Sequence, residues 1–183
     1  PAELRRRETR IARIREAKHV LEARAVAQAV VDQKPVESAT PADKAQYNFT
    51  DPESRIMKGP DGFVQAYNAQ IAVESAFQLI VGCAVTQDAN DKKQLTPMIE
   101  VVTEQFGQQP TQVLADSGYC SEANLMTLAT ADVDLYIATG RVKHGETQPA
   151  CRRGPMPTDA TLTDRMRRKL QTKRGKAVYR WRK

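Results

Sequence analysis

The stretch from residue 112 to residue 139 places the strongest limit on the fold, because it reads as strand, helix and strand in succession. The apolar run QVLA ends on Asp116, Ser121 is a helix N-cap, and a second apolar strand, DLYIAT, begins at Asp134. Two strands joined by a helix run parallel, since the helix carries the chain back along the sheet. The pattern therefore predicts an α/β fold with a parallel crossover unit.

Two strands that precede this unit complete the predicted sheet. The segment FVQAYNAQIAVES follows a Gly-Pro-Asp-Gly turn and has period two, and LIVGCAVTQ occupies residues 79–87. Too few residues separate these segments for a helical crossover, so we expect an antiparallel hairpin. Between Lys92 and Phe106 apolar residues recur with helical spacing, and Gly107 follows as a stop signal. The predicted fold class is α/β, with a mixed β-sheet flanked by helices.

The N-terminal part of the chain is predicted to be helical and then linker-like. Residues 2–31 contain no Gly or Pro and consist mainly of helix formers, which predicts one long helix. Residues 34–46 combine two prolines with small and polar residues, a composition typical of a linker. We therefore expect a helical connector over 1–33, a linker over 34–45 and a globular domain over 46–183. Both ends lie in charged, helix-compatible sequence, so we also expect a piece of a longer protein.

Positive charge is concentrated near the C-terminus. The formal net charge is +6, a balance that favours phosphate-rich partners. After Thr163 the only acid is Asp164, and Trp181 adds a ring on which a base can stack. This segment predicts a nucleic-acid surface with salt-dependent affinity, and a solvated helix face is the plain alternative. The residues expected to contact DNA are Arg165, Arg167, Arg168, Lys169, Lys173, Arg174, Lys176, Arg180, Trp181 and Lys183.

Other features argue against several classes of protein. Cys83, Cys120 and Cys151 form no C-x-x-C pair and have no histidine at zinc-ligand spacing, so we expect reduced thiols. His19 and His144 are isolated in the sequence, and Cys120 has no histidine nearby, which argues against catalytic roles for these residues. No apolar run approaches the roughly 20 residues needed to span a bilayer, and no signal segment opens the chain. We expect no membrane partner and a cytoplasmic, nucleoid-associated location.

Two aspartates lie where ligands bind in an α/β sheet. Asp116 follows a strand, and Gly118 gives the backbone freedom for the turn behind it. Asp51, 65 residues earlier, lies in another extended segment, predicted over residues 46–56, and Pro52 stops any strand there, which would place Asp51 at a strand end. Convergent carboxylates without a His or Cys cluster suit Mg²⁺, and two such ions support in-line displacement at a phosphodiester. A strand-end aspartate is also common as a plain turn residue, so the pattern alone leaves both interpretations open.

Three other aspartates compete with Asp51 for the role of first acid. Asp61 lies in a Pro-Asp-Gly turn, where aspartate is expected for conformational reasons. Asp88 and Asp91 flank a predicted helix start, where either can cap the helix. We prefer Asp51, and Asp88 and Asp91 stay open as alternatives.

A resemblance to a known family is carried by three runs in a fixed order: NFTDPESRIMKGPDGFVQAYNAQIAV, VLADSGYCSEANL and YIATGRVKH. These runs resemble bacterial insertion-sequence transposases of the DDE type, whose catalytic domain has an RNase H-like fold. The resemblance covers about residues 46–183. It implies that Asp51 in TDPES and Asp116 in ADSGY are the first two catalytic acids and Mg²⁺ ligands, with Mn²⁺ as a substitute. It also implies DNA strand cleavage, transfer of the freed 3′-OH to target DNA, and a homo-oligomer on paired transposon ends.

The third acid of this group of transposases is a glutamate in a signature of Tyr, two residues, Arg, three residues and Glu. Tyr179 and Arg182 match the first two members, and the chain stops at Lys183, three residues before the place of the glutamate. We therefore expect these residues to be inactive alone, with Arg182 orienting a phosphate or a neighbouring acid. The alternative is a catalytically dead DNA-binding or assembly module from a truncated element. A simple phosphodiester hydrolase is a third possibility.

Overall fold

The chain forms five α-helices and six β-strands in the part that the computed structural model describes. It divides into two compact units, Pro1–Tyr67 and Asn68–Lys183. The fold is mixed α/β with a long N-terminal helix, as predicted, and its strands form small sheets. Of the helices described, none has both the length and the apolar character needed to cross a membrane. The residues described are 2–129, 131, 133–140 and 154–182.

The first unit begins with a long helix, α1, at Ala2–Val31. Its residues include neither Gly nor Pro, so helix propensity is favourable along its whole length. Its first half is exposed, whereas Ala17 and Ala29 are buried. Beyond the helix Gln33 has a positive φ of 54°, and a short 3₁₀ turn at Val36–Ser38 lies within the predicted linker.

Two short strands complete the first unit. β1 at Arg55–Gly59 and β2 at Gly62–Ala66 pair antiparallel, with Lys58 opposite Phe63. Gly62 has a φ of 130°, a conformation that glycine adopts without steric cost. The hairpin therefore turns sharply between its two strands.

The extended segment predicted over residues 46–56 is wrong for most of its length, because β1 begins only at Arg55. Pro52 has no amide hydrogen to donate to a ladder. The Asp51 carbonyl instead accepts the Ser54 amide at 3.2 Å, which closes a turn. Asp51 therefore lies in a turn before β1 and not at a strand end.

The second unit opens with the hairpin that was predicted as antiparallel. β3 at Asn68–Val73 pairs with β4 at Ile80–Thr86, and Ile71 lies opposite Cys83. The run FVQAYNAQIAVES, predicted as one strand, is divided at Tyr67. The division arises because β2 pairs with β1 whereas β3 pairs with β4.

The remainder of the second unit carries the predicted crossover. Helix α2 at Leu95–Phe106 ends at Gly107, whose φ of 69° is the left-handed conformation expected of a C-terminal glycine. β5 at Gln112–Ala115, α3 at Glu122–Ala129 and β6 at Asp134–Ile137 follow in order. β5 and β6 pair in parallel, which confirms the strand, helix, strand interpretation. The strands form three two-stranded sheets, so the antiparallel and parallel pairs lie in separate ladders.

Two helices end the described chain, α4 at Leu162–Gln171 and α5 at Lys173–Tyr179. The turn-rich composition after Gly140 predicts a loop over residues 141–162. Residues 141–153 lie outside the described part, and residues 154–161 contain no helix or strand. Helices α2, α3 and α4 cover the parallel strand pair with aliphatic side chains, which agrees with the low aromatic content. The buried core consists of Leu95, Ile99, Ala115, Leu125, Leu128, Val133, Leu135, Ile137 and Met166.

Candidate catalytic and DNA-binding site

Asp116 lies directly after β5, at the carboxyl end of the parallel strand pair. Ala115 before it is buried in the core, whereas Asp116 itself is exposed. Asp116 Oδ1 accepts the Gly118 amide at 2.7 Å, which begins a 3₁₀ turn over Ser117–Tyr119. Among the described residues no donor contacts its second oxygen, Oδ2. The strand end therefore presents a carboxylate with one oxygen available to a ligand.

A second carboxylate approaches the same turn at Gly118. A Cβ atom placed on Gly118 would lie 2.8 Å from Asp91 Oδ2 and 3.0 Å from Asp116 Oδ1. The separation of Asp91 Oδ2 and Asp116 Oδ1 therefore cannot exceed the sum of those two distances, so the two carboxylates are neighbours. Gly118 is needed here for close approach, because any side chain would displace the carboxylates.

Amide donors hold the carboxylate of Asp91. Asn68 Nδ2 and Gln70 Nε2 both donate to Asp91 Oδ1, each at 2.8 Å. The Tyr119 hydroxyl in turn donates to Gln70 Oε1. Burial raises the pKa of Tyr119, and the negative charges of Asp91 and Asp116 raise it further. The phenol therefore stays protonated and keeps its role as a donor.

Asp51 belongs to the first unit, where Tyr67 holds its carboxylate. The Tyr67 hydroxyl lies 2.8 Å from Asp51 Oδ1 and 3.0 Å from Asp51 Oδ2, and this hydrogen bond raises the pKa of Tyr67. The buried Ser54 hydroxyl donates to the Asp51 carbonyl at 2.9 Å, so the backbone is held as well. The arrangement presents a half-buried carboxylate on a fixed turn.

The two signature residues lie beside the strand that carries Asp116. The Tyr179 hydroxyl donates to the Ala115 carbonyl at 3.1 Å, and Ala115 immediately precedes Asp116. Burial raises the pKa of Tyr179, the Arg182 charge lowers it, and the Asp116 charge raises it. The Arg182 guanidinium lies 5.1 Å from the centre of the Tyr179 ring. The structure therefore brings Tyr179, Arg182 and Asp116 into one neighbourhood.

The basic residues expected to contact DNA fall into two groups, and the members of the first group make contacts within the fold. Arg167 pairs with Asp164 at 2.8 Å, and Arg168 donates to the Gly154 carbonyl. Lys169 pairs with Asp134 and lies 4.2 Å from the centre of the Tyr136 ring, so its ammonium is partly used within the fold.

The second group is exposed and turned to solvent. Arg174 is 78% exposed and lies 3.5 Å from Asp134, and Trp181 is 69% exposed. Lys183 lies outside the described residues. The other exposed cations, without an ion pair in the described part of the chain, are Arg165, Lys173, Lys176 and Arg180.

The remaining candidates show ordinary structural settings. Asp61 lies in the exposed turn between β1 and β2, and Asp88 Oδ2 accepts the Gln94 side-chain amide at 2.7 Å. His19 is exposed on α1, and His144 lies outside the described residues. Burial raises the pKa of the Cys120 thiol, which disfavours the thiolate that a nucleophile needs. No three His, Cys, Asp or Glu side chains gather at one point in the parts of the chain that the structure describes.

The residues around Asp91 were not predicted as a group. Asn68 and Gln70 are two residues apart on β3, so their side chains lie on the same face of the strand. Two consecutive same-face amides are a signal that the sequence contained. Their common partner, 21 residues beyond Gln70, could only be identified from the tertiary contact.

A mixed α/β fold, a carboxylate at a strand end and a basic helical segment are together typical of domains that act on nucleic acid. A family model described as a transposase DDE domain matches residues 28–183, and the chain belongs to this family. The match confirms the resemblance to insertion-sequence DDE transposases, and the fold is consistent with an RNase H-like transposase domain. Members are enzymes that act on DNA, and the family generally uses divalent metal ions. No curated protein and no solved structure matches the chain.

Proposed function

We propose that this chain supplies two of the three acids with which an insertion-sequence transposase cuts a DNA strand and joins the freed 3′-OH to target DNA. The observation that supports this most is the exposed carboxylate of Asp116 at the end of β5, beside Tyr179 of the signature. Asp51 is the proposed first acid. Arg182, which lies over the Tyr179 ring, is the group proposed to orient a phosphate or a neighbouring acid.

The donor chemistry of both aspartates fits a hard divalent cation. Asp116 offers a free oxygen, and the only described donor to the Asp51 carboxylate is the neutral phenol of Tyr67. Carboxylate oxygens are the ligands that Mg²⁺ and Mn²⁺ prefer. Such ions stabilise charge on the attacking and leaving oxygens of a phosphodiester. The chain itself fixes the direction of both carboxylates, Asp51 through Tyr67 and Asp116 through the Gly118 amide.

The exposed cations of α4 and α5 are proposed to contact the phosphates of the DNA backbone. Lys173, Arg174 and Lys176 are exposed on one short helix, and Trp181 follows them with an exposed ring. Contacts of this kind neutralise phosphates and release counterions, so they position DNA without reading its sequence.

The sequence patterns and the family resemblance lead to four further proposals. The connector, linker and catalytic domain occupy residues 1–33, 34–45 and 46–183. The protein acts as a homo-oligomer on paired transposon ends, in the cytoplasm and in association with the nucleoid. These 183 residues alone do not cut DNA, since two acids hold two ions incompletely. The alternative function, a catalytically dead DNA-binding or assembly module, is supported by the same basic surface.

Metal binding tests the assignment. Calorimetry with Mg²⁺ and Mn²⁺ compares the chain with Asp51→Asn, Asp116→Asn and a version extended through a glutamate four residues after Arg182. Asp61→Asn is the matched control, because it removes the same charge from an exposed turn. We expect the first two substitutions to weaken binding, the control to leave it unchanged and the extension to strengthen it. If neither Asp51 nor Asp116 matters, the catalytic assignment is wrong and the DNA-binding module becomes the better account.

A further inference from the structure

We propose that Asp91 is a positioning residue that holds the turn carrying Asp116, an inference that rests on the proposed metal-binding role of Asp116. Asp91 is half-buried and lies at the start of a 3₁₀ turn between β4 and α2. It contacts the Asp116 turn at two separate points, one direct and one through Gln70.

The direct contact is at Gly118. Asp91 Oδ2 occupies the space into which a Gly118 side chain would project, 2.8 Å from the place of its Cβ. The Gly118 amide is the group that donates to Asp116 Oδ1 at 2.7 Å. A carboxylate packed against this peptide therefore limits how the peptide can rotate, and with it the direction of the Asp116 side chain.

The indirect contact runs through the buried amide of Gln70, which is only 2% exposed. Gln70 Nε2 donates to Asp91 Oδ1 at 2.8 Å and to Asn68 Oδ1 at 2.9 Å. With both acceptors on the nitrogen side, Gln70 Oε1 points away from Asp91 and accepts the Tyr119 hydroxyl. Because Tyr119 ends the turn that Asp116 begins, the chain of hydrogen bonds fixes the far end of that turn.

Asp91 can hold this place because its charge is stabilised by donors. Two amide groups donate to a single oxygen, and hydrogen bonds to an ionised acceptor are stronger than those between neutral groups. These bonds offset the repulsion between the Asp91 and Asp116 carboxylates. Without Asp91, the buried Gln70 amide loses one of its two acceptors, and its orientation is held less firmly.

The substitutions Asp91→Ala and Asp91→Asn separate positioning from charge. Asparagine keeps an acceptor oxygen for Asn68 and Gln70 but removes the charge, whereas alanine removes both. The first readout is the ¹H–¹⁵N resonance of the Gly118 amide in the full chain without metal. The second is Mn²⁺ affinity by calorimetry. Asp61→Ala is the control, because it removes an exposed turn carboxylate from the other unit.

We expect Asp91→Ala to move the Gly118 resonance and to lower Mn²⁺ affinity on the order of 10-fold, since loss of a group that orients a ligand costs about this much. The Gly118 resonance and the Mn²⁺ affinity of Asp91→Asn should be close to those of the unsubstituted chain, and Asp61→Ala should change neither. Tyr119→Phe, which removes only the last hydrogen bond, should move the Gly118 resonance by a smaller amount.

Two results would overturn the inference. One is an unchanged Gly118 resonance in Asp91→Ala. The other is an Asp91→Asn chain that behaves like Asp91→Ala, which would assign Asp91 a role through its charge. If the parent chain binds no Mn²⁺, the proposed function fails, but the Gly118 resonance still decides whether Asp91 positions the turn.

Discussion

Gly175 in helix α5 is the position at which a single methyl group should disturb the C-terminal segment most. Gly175 is buried where α5 turns back against the end of α4. A Cβ on Gly175 would lie 2.0 Å from the Lys169 carbonyl oxygen and 2.9 Å from the Leu170 Cα. Both atoms belong to the backbone, so no side-chain rotation can relieve the overlap.

The expected size of the effect follows from two opposing contributions. Replacing glycine by alanine inside a helix gains roughly 0.5–1 kcal/mol of propensity. Overpacking a filled site costs typically about 1–3 kcal/mol, and here the contact must widen from 2.0 Å to at least 3.0 Å. The overlap therefore wins, and we expect Gly175→Ala to lower the free energy of unfolding by about 1–2 kcal/mol. For a chain of this length that is a fall in Tm of roughly 2–8 °C.

Thermal and urea unfolding of Gly175→Ala, followed by circular dichroism, measure this effect. Gly140→Ala is the matched control, because a Cβ on Gly140 meets no atom of the described residues within 4 Å and its φ is not positive. The control should be neutral, or more stable by up to about 1 kcal/mol through the unfolded chain. Equal stability of the Gly175 and Gly140 variants would refute the close approach of α4 and α5.

Two further predictions concern charge. The Glu122 carboxylate accepts the amides of the first two residues of α4, and hydrogen bonds from this helix start hold its pKa below the ordinary value. The ionised Glu122 carboxylate therefore stabilises the fold above the ordinary glutamate pKa of about 4.3, and this stabilisation is lost as pH falls through the lowered pKa. Glu122→Gln should accordingly lower Tm at pH 7 but not in strong acid. An equal Tm difference at every pH would contradict this. DNA binding is measured by titration at several salt concentrations. The double variant Lys173→Gln, Lys176→Gln should reduce the slope of log affinity against log salt concentration by roughly 0.9 for each lost phosphate contact. The control variant Lys18→Gln, Lys34→Gln changes two lysines that pair with acids and should leave the slope unchanged. Equal slopes in both pairs of variants would remove the C-terminal segment from the DNA surface.

Local patterns in the sequence were sufficient for most elements of the fold. The helix α1, the apolar stripe of α2 with Gly107 at its end, and the order of β5, α3 and β6 all follow from residues close together in the chain. The transposase family was predicted from three local runs and is confirmed by the family match. The metal-binding roles of Asp51 and Asp116 stay predictions.

The strand boundaries near Tyr67 could not be predicted in the same way. Period-two alternation continues through residues 63–75, and it predicts one strand. The division depends on which neighbour each half pairs with, and pairing is not encoded in the alternation itself. The turn at Asp51 is a related case, because Pro52 prevents a strand over most of the segment that was predicted to be extended.

The sequence by itself determined the types of element, the place of Asp116 after an apolar run, and the basic character of the C-terminal segment. These features depend on propensity, spacing and charge, which act over a few residues. Only the tertiary structure decided that Asp91 and Asp116 converge on Gly118, and that Tyr179 donates to a carbonyl 64 residues earlier. Such contacts form when distant segments pack together, so their partners are set by the geometry of the fold and not by separation along the chain.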